Sequence, residues 1–246
     1  MNRFSRRQLL AMAGAAALPG SERFRAVAYD GFTLFDPRPI GAVAARFFAA
    51  RAPELMNLWR VKQFDYQWLR SLSGRYEDFW KVTESALRFA ARTLQLPLAP
   101  ESRDALMGAW LELKAWPDVA PSVRALKDAG LRQAPLANMT NEILDAAIRG
   151  SRLDGLFDDV ISTDRNRTFK PDPRAYQLGV DALGLRKSEV LFAPSAGWDA
   201  AGARWFGYPT FWVNRLAVPA EELGVAADAT GATMSNLVTF ATGRAG

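Results

Sequence analysis

The feature that most constrains this chain is a series of short apolar runs, each closed by a polar residue, with amphipathic helical stretches between them. Arg25-Ala26-Val27-Ala28-Tyr29 ends at Asp30-Gly31, and after Pro117 the alternation is continuous. It predicts strands at 132–136, 159–162, 189–193 and 210–213, separated by helices at 119–129, 142–149, 173–183 and 200–206. Strands that alternate with helices close as a mostly parallel sheet with right-handed crossovers, so the expected core is an α/β sheet of Rossmann-like type. Ligands of such sheets sit beyond the carboxyl ends of the strands. The polar residues that follow the strands are few: Asp30, Asn138, Asp164, Asp199 and Asn214.

Between residues 39 and 113 there is no strand signal. Trp59, Gln63, Tyr66 and Arg70 recur at helical spacing, and the stretch 76–94 continues the pattern. The chain therefore divides into an α/β core, residues 22–38 and 117–246, and a helical insertion or cap, residues 39–116. A length of 246 residues suits a core domain with a smaller inserted one.

Composition narrows the chemistry. The sequence has no Cys and no His, which excludes thiol nucleophiles, Ser-His-Asp triads, disulfides and the usual zinc sites. Catalysis must then rest on carboxylates, Lys, Arg, Tyr, hydroxyls and amides. The formal net charge is +5, but Arg3, Arg6 and Arg7 precede the first acidic residue, and without the first twenty residues the balance is 28 basic to 26 acidic. No basic run follows, so nucleic acid is not an expected partner. The first 21 residues combine Arg6-Arg7 with a short run, Ala11 to Leu18, that is too short and too weakly apolar to span a bilayer. They read as a twin-arginine-like export signal, which implies a periplasmic destination and no stable membrane insertion; without a working signal the protein is cytoplasmic.

Four segments resemble motifs of the haloacid dehalogenase superfamily, in particular its type II 2-haloacid dehalogenase branch. They are Tyr29-Asp30-Gly31-Phe32-Thr33-Leu34-Phe35-Asp36, Leu136-Ala137-Asn138, Lys170-Pro171-Asp172-Pro173-Arg174-Ala175-Tyr176 and Ala196-Gly197-Trp198-Asp199. A fifth, Trp59-Arg60-Val61-Lys62-Gln63-Phe64-Asp65-Tyr66-Gln67-Trp68-Leu69-Arg70, resembles the helical cap of that branch and has no evident packing reason for its polar residues. The resemblance runs from residue 26 to about 215. It implies hydrolytic dehalogenation of small 2-haloacids, without metal or cofactor, through an ester on Asp30; a homodimer is what the family suggests.

A carboxylate is a usable nucleophile because it is ionised at neutral pH, and a nearby cation favours that form. Lys170 is the candidate cation, at the end of a neighbouring strand. By resemblance Asp199 holds Lys170 and orients the hydrolytic water, and Arg60, Asn138 and Trp198 receive the departing halide. Thr33 and Tyr176 match substrate-binding positions. The string departs from the family pattern in four places: Thr33 lies three residues after Asp30 where four are usual, and Ala137, Pro194 and Ala196 replace polar residues. Ser195 is expected out of phase with the lost donors. These departures keep open a second reading, a related scaffold with altered or lost catalysis. A magnesium-dependent phosphatase is disfavoured, because Phe32 stands where a second Asp is required and Ala196, Gly197 and Trp198 add no oxygen ligand beside Asp199.

Overall fold

The computed structural model describes residues 24–243. The expected export segment, residues 1–21, lies outside the described residues. The chain opens with β1 (Ala26–Tyr29), every residue of which is buried, as an apolar run covered on both faces requires. Asp30 then caps a single helical turn, α1 (Gly31–Leu34), and the chain leaves the core through β2 (Phe35–Asp36). Gly31 lets this turn pass close to Ala137: a Cβ there would stand 3.1 Å from the Ala137 Cβ.

The insertion is helical, as expected: α2 (Pro39–Phe48), α3 (Ala52–Ser73), α4 (Phe79–Thr93) and α5 (Pro100–Gly108). α3 buries Leu55, Trp59, Gln63 and Gln67 at four-residue spacing, a single stripe turned inward. It ends at Gly74, which adopts a left-handed conformation at φ 65. The next helix starts only at Phe79, where Asp78 accepts a hydrogen bond from the Lys81 amide, so residues 76–78 are a connection and not helix. The chain re-enters the core through β3 (Lys114–Ala115), which pairs antiparallel with β2. The two passages between core and insertion are thus joined in one ribbon, a feature with no signal in the sequence because each strand is only two residues long.

The remaining core follows as α6 (Val119–Asp128), β4 (Arg132–Ala137), α7 (Asn141–Gly150), β5 (Ile161–Ser162), α8 (Pro173–Leu183), β6 (Val190–Ala193), α9 (Gly197–Phe206), β7 (Phe211–Val213), β8 (Ala229–Gly231) and α10 (Met234–Thr242). The sheet is parallel in the order β5-β4-β1-β6. β7 joins its edge through a parallel bridge between Phe192 and Thr210 and pairs in turn with β8. Two boundaries differ from expectation in ways that bear on the site. The strand expected at 159–162 shortens to Ile161–Ser162. The helix expected from residue 200 begins at Gly197, which brings Asp199 into its first turn. No helix of the described residues is long and apolar enough to cross a membrane.

Candidate active site

β1 lies between β4 and β6, with the chain running away on one side through β4 and β5 and returning on the other through β6. A strand at which the order reverses in this way leaves a crevice at its carboxyl end. Asp30 occupies that end, the loops after β4 and β6 bring Asn138 and Ser195 around it, and the first turn of α9 brings Asp199.

Lys170 ties the group together. Its Nζ donates to Asp30 Oδ1 at 2.9 Å and to Asp199 Oδ2 at 2.7 Å, and its side chain is 1% exposed. Lys170 is not at a strand end as expected; it sits in the loop before α8, eight residues beyond the short β5. The loop is held in place because the Lys170 backbone N–H donates to Asn138 Oδ1 at 2.9 Å. The other oxygen of Asp30, Oδ2, accepts from the Phe32 amide at 3.1 Å and from Ser195 Oγ at 2.7 Å. Asp199 lies in the first turn of α9, where the helix dipole favours a negative charge, and its Oδ1 accepts from the Tyr176 hydroxyl at 2.7 Å.

Burial alone would push the Lys170 ammonium down, but Asp199 and Asp30 together hold its pKa above the ordinary lysine value, so it stays charged. Asp199 is 1% exposed, and burial lifts its carboxyl to about 6 against the pull of Lys170 and Tyr176; the nearby Asp30 adds to the rise. One ammonium is shared by two carboxylates, so Asp199 gains less from it than an exclusive partner would. Burial, and then the Asp199 charge, raise the Tyr176 hydroxyl well above its usual value, so it remains a donor.

The cap closes this group from above. A cavity of about 20 Å³ is lined on the core side by Asp30, Asn138, Ser195 and Trp198 and on the cap side by Phe64, Gln67 and Phe79. Trp198 meets Phe64 and Trp68 edge to face, with centroids 5.4 and 5.6 Å apart. Gln67, fully buried, accepts a 2.7 Å hydrogen bond from Asn138 Nδ2 and so links α3 to the end of β4.

The expected site residues therefore divide. Asp30, Lys170 and Asp199 come together, and Asn138 and Trp198 line the cavity beside Asp30. Thr33 does not reach the cavity. It is fully buried, and its hydroxyl donates to the Ala193 carbonyl at 2.8 Å, tying α1 to the end of β6. Tyr176 also lies behind the site, its ring stacked on Phe206 and its hydroxyl on Asp199, because residues one turn into α8 face the sheet. Arg60 is exposed and does not line the cavity: it follows Trp59 by one residue and so lies about 100° round α3 from the buried stripe. Asp164 accepts from the Tyr76 hydroxyl and Asn214 closes its own loop, so neither belongs to the site. Cap residues expected to lack a packing role have one: Lys62 pairs with Asp65, Arg70 with Glu77, and Gln63 donates to Thr83 Oγ1.

Two polar cavity residues have no role expected from the sequence, Ser195 and Gln67. Strand alternation puts Ser195 out of phase, but that rule applies only within strands, and β6 ends at Ala193. Beyond it the chain bends, the Ser195 carbonyl accepts from Trp212 Nε1 at 3.1 Å, and the hydroxyl turns toward Asp30. Gln67 carried a usable signal, since it stands four residues after Gln63 and eight after Trp59 on one helical face.

Among the described residues no three acidic groups are placed to hold a metal ion.

Residues 9–207 match the haloacid dehalogenase-like hydrolase family. The chain is 42% identical over 205 residues to an (S)-2-haloacid dehalogenase of Pseudomonas sp. (strain YL), covering 83% of this chain and 88% of that protein. The crystal structure of the L-2-haloacid dehalogenase RSc1362 superposes with a TM-score of 0.87 at 41% identity, covering 89% of this chain and 99% of the other. The L-2-haloacid dehalogenase from Xanthobacter autotrophicus, in a structure with chloropropionic acid covalently bound, does so at 0.83 and 32% identity, covering 90% of this chain and all of the other. On its motifs, its fold and these likenesses, the chain belongs to the haloacid dehalogenase-like hydrolases, within their 2-haloacid dehalogenase branch.

Proposed function

We propose that this protein hydrolyses short 2-haloalkanoic acids to 2-hydroxy acids and halide. The observation that carries this reading is the chain Ser195–Asp30–Lys170–Asp199–Tyr176, which holds one carboxylate at a cavity wall and a second behind it on a shared ammonium. Asp30 attacks C2 of the substrate; the carbon–halogen bond breaks, the halide leaves with the electron pair, and an ester forms on Asp30. Water then adds to the ester carbonyl carbon, Asp199 takes its proton, and the bond from that carbon to the alkoxy oxygen breaks. The 2-hydroxy acid departs and Asp30 is regenerated, with one proton released overall. The Phe32 amide and Ser195 hydroxyl, both directed at one Asp30 oxygen, serve as donors to that oxygen when it carries negative charge in the addition step.

Asn138 and Trp198 are assigned to the departing halide, which favours amide N–H groups and the positive edges of aromatic rings. Arg60 enters this reading as a residue that must turn inward. It is one helical turn from Phe64, which lines the cavity, and among the described residues it forms no ion pair, so its guanidinium is free to reach over that ring. Thr33 and Tyr176 act by holding the backbone and Asp199, not by contact with substrate. The first 21 residues are proposed to direct export, which fractionation of cells expressing the full chain checks.

Single turnover of 2-chloropropionate in ¹⁸O-water tests the mechanism. The label should appear first in the Asp30 carboxylate and reach product only in a second turnover. Label in the first product molecule would replace the ester by direct attack of water.

A further inference from the structure

Gln67 is fully buried, lines the cavity, and has a side-chain nitrogen without a hydrogen-bond partner. The orientation of its amide follows from the backbone. The Lys170 N–H can only donate, so the Asn138 atom that receives it must be the oxygen, and the nitrogen of Asn138 then faces Gln67 at 2.7 Å. Gln67 must meet that nitrogen with its own oxygen, which leaves Nε2 as the free group. Four other side-chain nitrogens of the described residues are buried without a partner, on Trp68, Trp110, Arg204 and Arg215, and none of those residues lines the cavity. A buried amide donor without an acceptor costs free energy, and a cavity wall is where such a cost is recovered when a ligand arrives. Of the other polar lining residues, Asn138 donates to Gln67 itself and Ser195 to Asp30, and apart from Asp30 and Trp198 the remaining walls are apolar: Phe32, Phe64, Phe79, Ala137, Met139 and Ala196. Ala137 and Ala196 are two of the places where the family pattern has polar residues, so this chain lacks donors there.

The geometry points to Gln67 Nε2 as a substrate-binding donor to an anionic acceptor of the bound molecule, supplied from the cap in place of the donors missing at Ala137 and Ala196. Its position on α3 also makes it a link through which substrate holds the cap to the core, since its oxygen is already tied to Asn138. The inference rests on the haloacid reading only for the identity of the ligand, whose carboxylate and halide are both anionic acceptors.

The test uses two non-reacting probes, propionate for the carboxylate and bromide for the halide, with binding followed by isothermal titration calorimetry. Gln67→Met removes both ends of the amide. Gln67→Glu, measured at pH 9, keeps an oxygen for Asn138 but replaces the donor with negative charge. Both variants should weaken at least one probe by roughly 10- to 100-fold, Glu more than Met, and the probe affected identifies the acceptor. Unchanged affinities, a Glu variant that binds better than Met, or a wild-type protein that binds neither probe would each overturn the inference; the second outcome would reduce Gln67 to a support for Asn138. Turnover of 2-chloropropionate by the wild type is measured alongside. Probe affinities that fall in an inactive protein would sink the dehalogenase reading and leave the donor standing, and the converse result would do the opposite.

Discussion

The core and cap halves of the cavity are built on different terms. On the core side every side-chain polar atom of Asp30, Lys170 and Asp199 described above has a charged or hydroxyl partner, and the set is locked by strand ends and by the first turn of α9. On the cap side the wall is aromatic, its one buried polar residue keeps an unpartnered nitrogen, and Arg60 is exposed to solvent. The difference teaches where each job is done. A preorganised charge set suits bond making, since its dipoles need no rearrangement as charge moves. A wall of rings carried on two cap helices suits the reception and release of a small anion. The comparison predicts that substitutions on the core side cost far more than those on the cap side.

The largest effect should come from Asp30→Asn, with turnover lower by roughly 10⁴-fold or more because no ester can form. Asp199→Asn should cost roughly 10²–10⁴-fold, and here the ester should accumulate and be visible in the intact protein mass, since only the second step needs the base. A burst of halide equal to enzyme, followed by a slow phase, would mark this separation; equal slowing of both phases would show that Asp199 acts in the first step as well.

Ser195→Ala removes one hydrogen bond to a charged oxygen and should reduce kcat about 10-fold, with little change in KM. Arg60→Lys should have a smaller effect, several-fold on kcat, and larger for fluoride than for bromide, because the poorer leaving group depends more on the planar guanidinium in the transition state. An Arg60 loss as large as that of Asp199 would break the division between core and cap; no loss at all would remove Arg60 from the reaction.

The smallest change should be a shift in pH profile. With Asp199 near 6, turnover should fall on the acid side as that carboxyl is protonated. Tyr176→Phe deletes a hydrogen bond that lowers this pKa, so the acid limb should move to higher pH while the plateau rate changes little. The sign for stability is opposite to that of an ordinary ion-paired aspartate. A carboxyl whose folded pKa stands above its ordinary 3.8 stabilises the fold most below that value and loses the contribution as pH rises through about 6. Asp199→Asn should therefore flatten stability between those pH values in a urea titration.

Much of this arrangement was open to reading from the residues. An apolar run that ends in Asp30, repeated strand–helix units and the spacing of Lys170 to Tyr176 are local patterns, and local patterns survive in one dimension. They determined the α/β core and the helical insertion, and the resemblance of the motifs to those of the haloacid dehalogenases singled out Asp30, Lys170 and Asp199. A chain without Cys or His also left carboxylates as the available nucleophiles. What only the tertiary structure decided is which neighbour each side chain meets. Ser195 turns to Asp30 because the chain bends between β6 and α9, Thr33 turns away from the cavity to the Ala193 carbonyl, and Tyr176 supports Asp199 from behind. The free nitrogen of Gln67 depends on a backbone N–H more than a hundred residues away, through Asn138. Periodicity states which face of an element is buried, but the partner on that face comes from a different part of the chain. The direction of a hydrogen bond follows from donors and acceptors that only folding brings together.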